Sequence, residues 1–236
     1  MNETAELKQP LKPLPRRLSF RRFSAVQLLI ALVAFFICAP FVEELKAGDL
    51  IVAGLFSLVL IAGVVAVAQR KRTLVIAILL ALPAIAGRWI NHFRPDLIPP
   101  VVFLVGGLIL IAFVVAHLLG YILRAPSVNT DVLCASISAY LMLGLMWTLA
   151  YWLVDQLTPG GAFSFNTNTG KQSMSGFTGF YFSFVTLSTV GYGDITPVSR
   201  AARWLAAMEA MTGLLYVAVL IARLVSLYST PKSNDS

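Results

Sequence analysis

Residues 186–194 read Thr186-Leu187-Ser188-Thr189-Val190-Gly191-Tyr192-Gly193-Asp194, and their reading decides the fold. In Thr189-Val190-Gly191-Tyr192-Gly193, two glycines alternate with L-residues. Glycine reaches positive φ at little steric cost, so such alternation can turn successive carbonyls the same way. A column of inward C=O dipoles can replace the hydration shell of a cation, and the Thr189 hydroxyl can add an oxygen at the inner end. A chance loop turn would account for the glycines. It explains neither Thr186-x-x-Thr189-Val190 before them nor Asp194 after them.

Composition places the chain in a bilayer. Hydrophobic residues make up 58% and charged residues 12%, with a mean hydropathy of +0.82. An ordinary soluble domain carries roughly a quarter charged residues. The net charge of +7 arises because acids are scarce and bases cluster at segment ends. That pattern suits a surface of anionic lipids better than a nucleic acid. Cys38 and Cys134 both fall in apolar stretches and read as small packing residues rather than a disulfide or metal site.

Working outward from the motif, six apolar stretches follow a basic tail (1–23): about 24–40, 50–68, 74–90 with a kink expected at Pro83, 101–123, 132–154 and 201–228. Each is near the ~20 residues that cross a hydrocarbon core. Between the fifth and sixth lies a shorter apolar-aromatic piece, 176–188, which ends at the motif. It is too short to span and sits where a re-entrant helix belongs. Non-helical backbone at membrane depth is tolerated only where protein buries it or it lines water. The expected fold is all-α and integral to the membrane: a four-helix part (24–124), then a pore part (132–229), then a short tail (230–236).

Charge sidedness gives an orientation. Six spans leave both termini on one side, with Lys8, Lys12, Arg16, Arg17, Arg21, Arg22, Arg70, Lys71, Arg72, Arg124, Arg223 and Lys232. The other side holds Lys46, Arg88, Arg94, Lys171, Arg200 and Arg203. The more basic side is cytoplasmic by the positive-inside rule, so the expected location is the cell membrane with both termini inside. The competing reading of the first span is a cleaved signal peptide, but Pro40 directly after Ala39 disfavours cleavage there.

Residues from about 132 to 228 resemble the pore module of the tetrameric potassium channels: outer helix, pore helix, filter and inner helix. The pentapeptide 189–193 is the family's known filter signature, so the match is a resemblance and not a deduction from physics. It covers roughly the last two-fifths of the chain. The resemblance implies a homotetramer, because one filter strand supplies a quarter of each ion cage. It implies no cofactor beyond permeant K⁺.

Tyr181 and Phe182 hold the pore-helix positions where the family often has paired tryptophans bracing the filter tyrosine. Val185 stands where some relatives carry a buried Glu that pairs with the residue after the filter, so Asp194 is expected at the mouth without that partner. Gly213 aligns with the glycine at which the family's inner helices bend in gating; glycine weakens a helix by about 1 kcal/mol relative to alanine. It also allows close helix packing, a reading that stays open.

Glu209 shares the Gly213 face, and an ionisable group inside a span is a functional hypothesis by default. It is expected to face the hydroxyls of Ser183, Thr186 and Ser188 as a protonated donor. The alternative is a wet interfacial carboxylate. Below Gly213, Leu214, Val217, Ile221 and Val225 suit a dry cavity lining. Arg223 is expected to snorkel to lipid headgroups.

The fourth span, 101–123, has no arginine before Arg124. A voltage sensor needs a ladder of arginines, so six spans here do not imply voltage gating. His117 in that span is expected as a neutral histidine bonded between helices, with pH sensing the alternative. His92, near Arg94 and Asp96, reads as solvated. The stretch 156–175, rich in Gly, Thr, Ser and Asn, reads as an exposed turret. The tail after Tyr228 is too short for a nucleotide- or calcium-sensing domain. No phosphate loop, catalytic triad or metal-ligand spacing appears, which disfavours an enzyme. A K⁺ uptake transporter subunit, a non-conducting adaptor and a non-selective cation pore stand as alternatives to a K⁺ channel. Against them are the single repeat and the undamaged filter.

Overall fold

The structure, a computed structural model, describes residues 19–42, 45, 47–68, 71–94, 96–97, 99–166 and 173–228. Most of the basic tail, Lys46, Arg70, Lys171, Lys232 and the chain's last residues therefore lie outside the described residues. The element order is α1 (Ser19–Val42), α2 (Gly48–Val67), α3 (Lys71–Phe93), α4 (Pro100–Leu123), α5 (Thr130–Leu157), β1 (Phe163–Phe165), α6 (Gly176–Leu187), β2 (Ile195–Pro197) and α7 (Arg200–Tyr228). All the long helices, α1 to α5 and α7, are apolar enough to cross a membrane. A helix satisfies its own backbone groups, which hydrocarbon requires. The 12 residues of α6 rise only about 18 Å, short of the ~30 Å core.

Helix ends depart from the apolar stretches by a few residues, and at the start of α5 a side-chain cap sets the boundary. Asn129 accepts from the Val132 N–H at 2.9 Å, so α5 starts at Thr130, ahead of the apolar run. Pro40 does not end α1, which continues to Val42. A proline in the last turn forfeits only its own hydrogen bond there.

The helix α5 is the hub. Helices α1 to α4 pack in sequence on one another, and α1 and α4 both close onto α5, which also carries α6 and α7. Leu28 and Leu32 of α1, Leu60 of α2, Leu104 and Ile111 of α4, and Ala135 and Met142 of α5 are fully or almost fully buried in one continuous core. The buried face of α3 is small, at Ala77, Ala81, Ala84 and Gly87, which lets helices approach closely.

Ends that belong on one side are tied together. Asp49 at the start of α2 pairs with Arg88 and, at 2.6 Å, with His92 Nδ1 in the last turn of α3. The Arg223 guanidinium of α7 donates to the Ala125 carbonyl just past α4 at 2.8 Å.

Several expectations are corrected by these contacts. His92 is helical and paired with Asp49 rather than solvated in a loop. Arg223 caps a neighbouring backbone carbonyl rather than reaching outward. His117 Nδ1 lies 2.9 Å from the Phe113 carbonyl, so its partner is four residues back in its own helix and not on another. The stretch 156–175 is not wholly an exposed turret. Its residues 163–165 form β1, paired antiparallel with β2, and Ala162, Phe163 and Met174 are buried. The fold thus gains a two-stranded ribbon, the other elements among the described residues being helices.

Candidate functional site

The short helix α6 is wedged between α5 and α7, and two glycines make the room. A Cβ on Gly144 of α5 would overlap the Phe184 ring, and one on Gly213 of α7 would overlap the Leu187 carbonyl. The helix α7 runs unbroken through Gly213. Close approach is therefore what Gly213 provides in this conformation. On its other side α6 meets α1, where Phe36 lies 4.7 Å from Phe180 and 5.0 Å from Phe184, ring centroid to centroid.

The last turn of α6 leaves carbonyls without helical donors, and the motif's backbone takes them. Thr189 N–H donates to Thr186 O at 2.9 Å, and Val190 N–H and Gly191 N–H donate to Val185 O at 2.9 and 3.3 Å. From there the backbone alternates in hand. Thr189, Gly191 and Gly193 have φ of 60°, 56° and 79°, while Val190 and Tyr192 stay at negative φ. Thr189 is the one non-glycine at positive φ among the described residues, a conformation that costs an L-residue energy and persists only where the surroundings enforce it. The glycine positions were legible in the sequence, whereas the strained threonine was not. Val190 and Tyr192 are 54% and 70% exposed, so the strand lies on the chain's surface and not in its core.

The outer end is fastened by polar contacts. Tyr181 stacks on Tyr192 with ring planes 5° apart, and its hydroxyl donates to Asp194 Oδ2 at 2.8 Å. Asp194 Oδ1 takes the Ile195 N–H at 3.1 Å, and the Asp194 carbonyl takes the Asn166 N–H at 2.8 Å. Asp194 therefore has a side-chain partner after all, supplied by Tyr181 in place of the family's glutamate. Asp155, which sequence reading passed over, accepts from Ala162 N–H at 2.8 Å and Met174 N–H at 3.3 Å. It thereby gathers both ends of the segment between α5 and α6.

Phe182 packs on other rings than Tyr181 does. Adjacent helical residues point about 100° apart, so Tyr181 faces the motif while Phe182 faces back, 4.9 Å from Tyr151 and 5.3 Å from Phe163. It braces α6 from behind. Glu209 is fully buried, not wet. Its Oε1 lies 2.5 Å from Ser183 Oγ as expected, and its Oε2 accepts from the Tyr151 hydroxyl, which sequence reading missed. Ser188 instead bonds back to Phe184 O at 2.6 Å. Leu214, Val217, Ile221 and Val225, at spacings that share one helix face, are 65%, 43%, 56% and 58% exposed.

A family model described as "Ion channel" matches residues 139–230, from within α5 to just past α7. Protein LctB of Bacillus caldotenax is 30% identical over 99 residues, which are 41% of this chain and 72% of that protein. Two-pore potassium channel 4 of Arabidopsis thaliana is 47% identical over 47 residues, 20% of this chain and 16% of that one. Two-pore potassium channel 1 of the same plant is 34% identical over 88 residues, 37% and 20% of the respective chains. The chain thus spans a fifth or less of those plant channels, and most of Protein LctB. No solved structure matches the chain. With its apolar helices and this match over the segment that carries the motif, the chain is a multi-pass membrane protein of the ion-channel family.

Proposed function

We propose that the chain is the subunit of a homotetrameric, K⁺-selective channel that conducts passively across the cell membrane, with both termini cytoplasmic. The observation that carries this reading is the alternation of hand at Thr189, Gly191 and Gly193 on an exposed strand. Alternating hand is how successive carbonyls of residues 189–193 come to face one axis, where they replace water around a bare ion. One strand supplies a single wall. Four copies around an axis enclose the ion and cover the strand.

Further support comes from α7, which is buried over only 11% of its span against 61% for α5. Copies of the chain would cover much of that surface. In the assembled pore, Asp194 stands at the mouth and attracts cations, while Tyr181 and Phe182 support the filter and its helix. Leu214, Val217, Ile221 and Val225 line the inner cavity. Gly213, besides its packing role, is where α7 bends in gating. The basic tail engages anionic headgroups of the inner leaflet. Two of the relatives are named potassium channels, which supports K⁺ as the permeant ion.

Purified protein in liposomes loaded with K⁺ should take up tracer Rb⁺, and Ba²⁺ should stop the uptake. Protein-free rates under these conditions would refute conduction.

A further inference from the structure

Tyr151 of α5, Ser183 of α6 and Glu209 of α7 meet in a cluster with no exposed surface. The Tyr151 hydroxyl donates to Glu209 Oε2. Ser183 Oγ lies 2.5 Å from Glu209 Oε1 and 2.8 Å from the Gly144 carbonyl oxygen of α5. A serine hydroxyl carries one proton, and a backbone carbonyl only accepts. Gly144, which also takes the Thr148 hydroxyl at 2.9 Å, must therefore receive the Ser183 proton for that contact to be a hydrogen bond. The contact between Ser183 and Glu209 then needs a proton from the carboxyl. An ionised Glu209 would leave one of the two as bare oxygen against oxygen. Its partners are hydroxyls that bring no positive charge, and an uncompensated carboxylate in an apolar interior is costly.

We infer that Glu209 is held as a carboxylic acid that donates to Ser183, completing a one-way chain of hydrogen bonds from Tyr151 through Glu209 and Ser183 to Gly144. That chain joins all three helices of the pore module and fixes α6 along its axis. The Leu187 carbonyl, one turn beyond Ser183, rests on Gly213, one turn beyond Glu209. Thr189 follows two residues later. Glu209 and Tyr151 are thus positioning residues, acting on the filter through α6. Their bearing on conduction rests on the channel reading above, whereas the hydrogen-bond chain does not.

Infrared spectra of the full-length protein, parent minus Glu209→Gln, test the inference in H₂O and D₂O. A protonated-carboxyl stretch that shifts in D₂O and is lost in the Gln variant is expected. Only carboxylate bands in that difference would overturn the inference. Gln offers the same donor and acceptor, so Glu209→Gln should melt close to the parent and Glu209→Ala several degrees lower. Equal losses in both would count against a donating acid. Should the Gln variant fail to fold, Ser183→Ala decides. Losing the acceptor should move the carboxyl stretch to higher frequency, and an unmoved band would overturn the inference. Neither readout needs ion flux, so a parent without K⁺ flux would refute the channel reading and leave this one to its own evidence.

Discussion

Tyr181 lies parallel to Tyr192 at a centroid distance of 6.2 Å while its hydroxyl holds Asp194, the residue directly after the motif. One side chain of α6 therefore meets the outer part of the motif strand twice, once through a ring face and once through a hydrogen bond. Replacing Tyr181 by Phe keeps the first contact and removes the second. We expect a loss of about 0.5–1.5 kcal/mol per subunit and faster decay of conductance during sustained opening. Thermal melting and macroscopic current decay, compared with Tyr181→Ala, check this. A Phe variant as damaged as the Ala variant would show that the stacking carries nothing.

Gly191→Ala puts a Cβ on a residue whose φ is 56°, although the space around it is open. The cost is therefore backbone strain and not a clash, about 1–2 kcal/mol in each subunit. Flux should fall steeply while the helical far-ultraviolet signal stays unchanged. Unaltered flux would mean that residue 191 need not hold this conformation.

Gly213→Ala fails for the other reason, since its Cβ would enter the Leu187 carbonyl. Either α6 or α7 must move, at a cost of about 1–3 kcal/mol. A lowered melting temperature is expected even where no current is measured, which separates this packing effect from any gating effect. An Ala variant as stable as the parent would contradict the close packing.

The helix α4 carries no arginine within its span, and its buried face is Leu104, Leu110, Ile111, Val114 and Leu118. Moving one charge through the field is worth ~2.3 kcal/mol per 100 mV, and here there is no charge ladder to move. Open probability should change only shallowly with voltage. A steep sigmoidal conductance–voltage curve would contradict this.

The six long apolar helices and the short one before the motif were legible because apolar runs of fixed length have few other uses. The motif was legible because two glycines alternate with side chains that a turn does not need. What escaped were pairings between residues far apart in the chain. Tyr151 and Glu209 are 58 positions apart, and Asp155 and Met174 are 19. No local pattern marks either pair. The strands β1 and β2 have three residues each, too few to show a period-2 pattern, and backbone hydrogen bonds flank them at both ends, Asn166 to Asp194 and Val198 to Ala162. The strain at Thr189 was hidden because threonine, unlike glycine, does not advertise a positive φ. The ring partners of Phe182, Tyr151 and Phe163, were not legible because adjacency in sequence does not make two residues face the same way on a helix.

The most direct test of the central claim is a reversal potential, measured on purified channels in a planar bilayer with K⁺ on one side and Na⁺ on the other. A carbonyl column at residues 189–193 should drive that potential far from zero, to the sign that opposes K⁺ efflux from the K⁺ side, with Na⁺ carrying almost no current. A reversal potential near zero, showing equal passage of Na⁺ and K⁺, would contradict a K⁺-selective filter in this chain.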